Sequence, residues 1–231
     1  MIEHRNFKDK NCWLNINKPK NISSAQVVSV VKRITGAKKV GHGGTLDPLA
    51  HGVLPIALNR ATKTVSKIID SKKSYIFIIK FGVSTDTDDS KGKVIKTSNK
   101  MLSLIEIANI IPHFIGKINQ TPSKFSAIKI NGKRAYILAR KEVEFEIPSR
   151  EINIFSLSII DFNGDNAKFE VLCSKGTYIR SLARDICEKL DICGHVSDLV
   201  RIKVGNFLIN QAISLDELKL NNIKSESILY I

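Results

Sequence analysis

The sequence has little of what disulfide-bonded or metal-holding chains depend on. Its four cysteines, Cys12, Cys173, Cys187 and Cys193, form no CxxC and have no His-x3-His beside them. That scatter argues against a zinc site and fits a reducing compartment. No apolar run approaches the ~18 residues of a membrane span. The opening, "MIEHRNFKDKN", lacks the apolar centre of a secretory signal, so a cytoplasmic protein without a membrane partner is expected. Acid is also scarce: 22 Asp and Glu stand against 36 Lys and Arg, a net charge of +14. An excess of that size points to nucleic acid as partner. The apolar fraction of 43% is enough for a core, which excludes a disordered chain.

The lack of acid is sharpest from Lys10 to Thr45, where seven Lys or Arg occur and no Asp or Glu. This stretch runs into "KKVGHGGTLDPLAHGVLPIAL", residues 38 to 58, in which Asp47 is the one carboxylate. Gly41, Gly43 and Gly44 allow backbone angles and close approach that other residues forbid. An Asp before Pro is a turn former, or, set in positive charge, a reagent. The spacing is not the dinucleotide signature, because Leu46 stands where its third glycine belongs, and no G-K-[ST] follows for a phosphate loop.

The rest of the chain alternates strand and helix patterns. "CWLNINKP" reads as a strand, and Ser23 or Ser24 caps a helix over "AQVVSVVKRI" that Gly36 stops. "GVLPIAL" reads as a buried strand, "ATKTVSKIID" as a helix, and "KSYIFIIKFG" as a strand apolar on both faces. "STDTDDSKG" is a polar turn, and residues 102 to 111 form a helix ended by Pro112 and Gly116. From Gly116 to Lys141 there are again seven basic residues and no acid. "REINIFSLSIID" and "NAKFEVLCSKG" read as paired strands, "TYIRSLARDICEKL" as an amphipathic helix, and "HVSDLVRIKVGNFLI" as a further strand. "SLDELKL" gives one short helix near the end. Without a strict βαβ rhythm, the fold class is α+β or mixed α/β, with a mixed sheet.

Three residues besides Asp47 are candidates for chemistry. Tyr75 is a core residue or a stacking platform for a base. Arg180 is either a solvated helix residue or the bidentate partner of a carboxylate. His42, between glycines and without metal partners, is a turn residue or a site residue.

These motifs, in order, resemble the TruB-type tRNA pseudouridine synthases, which isomerise uridine 55 in the tRNA T-loop. "NKPKNISSAQVVSVVKRI" resembles the family's opening segment, and "VGHGGTLDPLAHGVLPIALNRATK" its active-site signature. "KSYIFIIKFGVSTDTDDSKG", "QTPSKFSAIKINGKRAYILAR", "CSKGTYIRSLARDI" and "HVSDLVRIKVGNF" resemble later blocks. The resemblance covers residues 12 to about 209. It implies a pseudouridine synthase fold, a central mixed and mostly antiparallel sheet flanked by helices and loops. It implies a catalytic domain over 1–209, an RNA-clamping insertion at about 117–148, and a short tail over 210–231 in place of a full PUA-type domain. It also implies a monomer that acts without cofactor or metal.

By the same matching, Asp47 is the catalytic aspartate, attacking C6 or C1′ or taking a proton from C2′. Arg180 pairs with Asp47. Tyr75 stacks on the base and takes the final C5 proton. Tyr178 and Leu199 line the base pocket, and His42 supports the flipped-out T-loop. Lys18, with Pro19, buttresses the active-site loop and counts among the substrate-binding residues, as does Lys129 of the basic insertion. Two departures stand out. Pro122-Ser123 replaces the usual Pro-Pro, which is expected to loosen that loop, and His51 sits where a small hydroxyl residue is common. The competing reading is an RNA-binding, tRNA-folding chaperone that needs no catalysis; an aspartate hydrolase on a small substrate is a weaker third.

Overall fold

The computed structural model describes residues 7–221, 223 and 225–230; the polar start, residues 1–6, lies outside them. Its elements, in chain order, begin with β1 (Cys12–Lys18), α1 (Ser24–Thr35), β2 (Val40–His42), β3 (His51–Leu58), α2 (Val65–Asp70) and β4 (Lys73–Phe81). Next come β5 (Val83–Thr85), β6 (Val94–Thr97), α3 (Leu104–Ile110), β7 (Gly116–Gln120), β8 (Lys129–Ile130), β9 (Lys133–Arg134) and α4 (Ala135–Arg140). The last are β10 (Arg150–Phe162), β11 (Asn166–Cys173), α5 (Ile179–Lys189), β12 (Gly194–Val204), β13 (Phe207–Leu208), α6 (Leu215–Lys219) and β14 (Ile228–Tyr230). The α+β class is therefore observed. Among the described residues no helix is long and apolar enough to cross a membrane.

The chain forms two compact units, one of residues 1–76 with 199–231 and one of residues 77–198. In the first, β1 lies between β3 and β14, antiparallel to both. β2 adds to β3 antiparallel, whereas β12 meets β3 in parallel, with Val200 opposite His51 and Arg201 opposite Gly52. That parallel pair makes the sheet mixed. Trp13, Val53, Ala57, Ala61, Val204 and Phe207 form a core cluster. The Trp13 and Phe207 rings lie 5.9 Å apart at 52°, and the indole N–H donates to Thr64 Oγ1 at 3.2 Å, so this large side chain buries no unpaired donor. α1 begins where Ser23 and Gln26 form a reciprocal capping box and ends at Gly36, whose φ of 66° closes the last turn. It buries Val27, Val31 and Thr35 on one stripe.

The tail is more than one short helix. After α6, β14 pairs with β1, Leu14 opposite Ile228. Three residues are too short a run to show alternation, which is why the sequence reading missed this strand.

In the second unit, β10 lies between β7 and β11, antiparallel to both, as read from the sequence for β10 and β11. Register shifts at Ile154/Ser156 and Ile159/Asp161 bend β10. Phe77 and Phe169 stack at 5.1 Å in the core. β5–β6 and β8–β9 are separate hairpins. Pro122 and Ser123 are buried, so the segment that departs from Pro-Pro packs inward instead of flaring.

Candidate active site

Asp47 sits half-buried in the loop between β2 and β3, and the atoms on either side of it are fixed by buried side chains. Ser24, the first residue of α1, makes two hydrogen bonds to Leu46: its hydroxyl accepts from Leu46 N at 2.9 Å and donates to Leu46 O at 3.0 Å. Lys18, fully buried at the end of β1, donates from Nζ to the carbonyls of Pro19 at 2.9 Å, Ile22 at 2.7 Å and Pro48 at 3.4 Å. Asn21 N also donates to Pro48 O, and Ala50 N closes a turn onto Asp47 O. Lys18 therefore braces the loop: its ammonium faces backbone oxygens, which is a buttress geometry and not that of an open substrate contact.

Arg201 was not singled out from the sequence. It is 1% exposed and belongs to β12. Its Nε donates to Val53 O at 2.8 Å, and its two terminal nitrogens donate to Thr45 O at 3.1 Å and Gly44 O at 3.0 Å. Gly44 holds φ at +120°, and Gly52 holds φ at +101° where a Cβ would lie 2.4 Å from Arg201 O. Both positions need glycine, and Gly52 is what lets β12 approach β3.

The electrostatics follow from this burial. Desolvation pushes the Lys18 ammonium down to about 8; the Asp47 charge opposes that fall and Arg201 adds to it. His42 is half-buried in β2, and burial, then Arg201, lowers its pKa, so it stays neutral at neutral pH. A neutral imidazole can stack or donate one hydrogen bond but cannot hold a phosphate by charge.

Tyr75 is 8% exposed on β4. Lys73 secures the start of that strand by donating to the carbonyls of Ile68 at 3.4 Å, Ser71 at 2.6 Å and Ile69, the C-terminal end of α2. Leu199 is 4% exposed on β12, two residues before Arg201 and thus on the same face of the strand.

In the second unit, Arg180 is 4% exposed, which overturns the solvated-helix alternative. Its terminal nitrogens donate to Thr87 O at 2.9 Å and Phe125 O at 3.1 Å, and Nε lies 3.7 Å from Asp89 Oδ2. Asp89 in turn accepts from Thr87 Oγ1 and Lys91 N, so the "STDTDDSKG" turn is a cradle for this arginine. Tyr178 caps α5 as its backbone exchanges two hydrogen bonds with the Gln120 side chain at 2.8 and 3.1 Å. The Arg150 guanidinium lies 4.8 Å above the Tyr178 ring. Lys129 is exposed on the β8–β9 hairpin. Within the first unit the structure thus assembles Asp47, Lys18 and His42 around one loop; within the second, Arg180 and Tyr178 open one helix. Among the described residues no group of three or more His, Cys, Asp or Glu side chains could hold a metal ion.

The model of the TruB family pseudouridylate synthase N-terminal domain matches residues 32–179, which include the whole Asp47 loop. This chain belongs to the TruB family. The model of the tRNA pseudouridylate synthase B C-terminal domain matches residues 180–228, beginning at Arg180. The chain is 48% identical over 95% of its length to the tRNA pseudouridine synthase B of Ehrlichia ruminantium, of which it spans 75%. It is 48% identical to that of Brucella ovis and 46% to that of Rickettsia rickettsii, covering 90% and 94% of this chain. It spans only 64% and 65% of those two relatives. The solved structure of a Cbf5-Nop10-Gar1 complex superposes with a TM-score of 0.72 at 27% identity, over all of this chain and 62% of the other. A structure of an H/ACA RNP bound to a substrate RNA containing 2′-deoxyuridine gives 0.70 at 25% identity, over 98% of this chain and 60% of the other.

Proposed function

We propose that this chain isomerises uridine to pseudouridine in tRNA, at uridine 55 of the T-loop, with Asp47 as the reacting carboxylate. The observation that carries this reading is the loop itself. One carboxylate is held half-exposed by the buried side chains of Lys18, Ser24 and Arg201 and by the Asn21 amide, in a chain that belongs to a pseudouridylate synthase family. Pseudouridine formation breaks the C1′–N1 bond, turns the uracil and rejoins it through C5. It needs one ionised carboxylate beside sugar and base and no metal or cofactor. Tyr75 is assigned the stacking contact and the final C5 proton, and Leu199 a wall of the base pocket. His42, neutral and next to Gly43, fills the space a flipped base leaves. The insertion over 117–148, with Lys129, grips phosphates of the T-stem and T-loop. Residues 1–209 form the catalytic domain, acting as a monomer in the cytoplasm.

The test is an unmodified tRNA transcript carrying tritium at uracil C5. Incubation with the protein is expected to release tritium into water. Release stops when uridine 55 is replaced by cytidine. Asp47→Asn is expected to lower it by on the order of 10³-fold or more with tRNA binding retained. Release that survives Asp47→Asn overturns the assignment. Intact binding with no release from the wild type favours the tRNA-folding reading.

A further inference from the structure

We infer that Arg201 is a positioning residue for Asp47, clamping both ends of its loop to the strand that carries Leu199. The inference rests on the function proposed above and assigns the reaction a residue outside the expected set.

Three observations lead to it. First, the acceptors of Arg201 flank the reacting residue. Gly44 O and Thr45 O precede Asp47, and Val53 O follows it on β3. One rigid guanidinium therefore fixes the entrance and the exit of the loop together, which a flexible ammonium on a single donor atom cannot do. Second, the site is built for that approach. Gly44 and Gly52 hold positive φ, and a side chain at Gly52 would collide with the Arg201 carbonyl. A guanidinium 1% exposed is costly to bury, and its observed partners are backbone carbonyls of this loop and its exit strand. Third, Leu199 and Arg201 share a face of β12. A base seated against Leu199 is thereby registered to the strand that holds the Asp47 loop. His51, whose place the sequence left without an account, lies opposite Val200 in the same short parallel pair.

A purely architectural arginine would lose stability throughout when replaced. A positioning arginine loses rate first, because misplacing a reacting group by about 1 Å costs on the order of 10²-fold. The experiment compares wild type, Arg201→Lys and Arg201→Met as full chains. It measures single-turnover tritium release at saturating tRNA, the tRNA dissociation constant, and amide hydrogen exchange at Gly43 and Ala50, which donate to Pro55 O and Asp47 O. Arg201→Lys keeps the charge and is the variant that carries the test if the methionine chain does not fold. The expected result is a rate lower by roughly 10- to 100-fold in the lysine variant. Binding stays within about twofold, because the guanidinium holds backbone carbonyls and not phosphate. Exchange accelerates at the loop amides while β1 stays protected. A rate within about twofold of wild type, or a parallel loss of rate and binding, overturns the inference. If the wild type releases no tritium, the proposed function fails on its own. The exchange data then decide the inference: loosening confined to the loop sustains the clamp, and unchanged exchange refutes it.

Discussion

Two sets of basic residues in this chain use the same charge in opposite ways. Two cations packed against the Asp47 loop are buried, Lys18 at 0% and Arg201 at 1% exposure, each donating to backbone carbonyls, whereas Lys38 and Lys39 just before the loop are exposed. From Gly116 to Lys141 all seven Lys and Arg are exposed, and Ala135 is the buried residue at the start of α4. Burial turns a cation into a fastener, because its donors must find fixed acceptors and a desolvation cost remains if they move. Exposure leaves a cation hydrated, screened and free to meet a phosphate. Composition alone, at +14, treats the two groups as one.

The contrast is broken most severely at Lys18. Lys18→Met removes three hydrogen bonds, one of them to Pro48, and lets the loop tip move; turnover is expected to fall on the order of 10²-fold, with tRNA affinity nearly unchanged. Single-turnover rates and filter binding check this split. A smaller effect is expected from Ser24→Ala, which leaves the buried Leu46 N–H without its acceptor. The cost is about 1–3 kcal/mol, read as a lowered midpoint in urea with an unchanged slope. The third is a pH effect. Burial lowers the Lys18 pKa from 10.5 to about 8, so between those values the unfolded chain holds more protons than the folded one. Folding stability is therefore expected to rise with pH through that window and to lose this increment as pH falls through 8. Lys18→Met flattens this component, which urea titrations paired at the two ends of the window would show.

How much of this was legible in the sequence depended on the range of the interaction. Local signals were plain: the Ser23 cap and Gly36 stop of α1, the apolar pattern of β4 and the pairing of β10 with β11 all follow from residues a few positions apart. Asp47 was visible because glycines and missing acid set it apart. Arg201 was not, since the carbonyls it holds are 148 to 157 residues away and a backbone acceptor leaves no mark on composition. A basic residue inside the apolar run "DLVRIKV" was the one available hint. Arg180 showed the converse: its helical spacing was clear, but the cradle of Thr87, Asp89 and Phe125 that buries it comes from two distant turns. Lys18 was expected to buttress the loop, yet only its three carbonyl partners show how.

The division between fastening and gripping cations is tested most directly with one variant of the exposed group, Lys124→Ala/Lys129→Ala/Lys133→Ala. Its tRNA affinity and its rate at saturating tRNA would be followed from low to high salt. The account predicts weaker binding, a salt slope shallower by roughly 0.7 for each phosphate no longer neutralised, and an unchanged saturated rate. A saturated rate that falls as far as the affinity would contradict it, because the exposed cations would then be positioning the reaction and not merely holding its substrate.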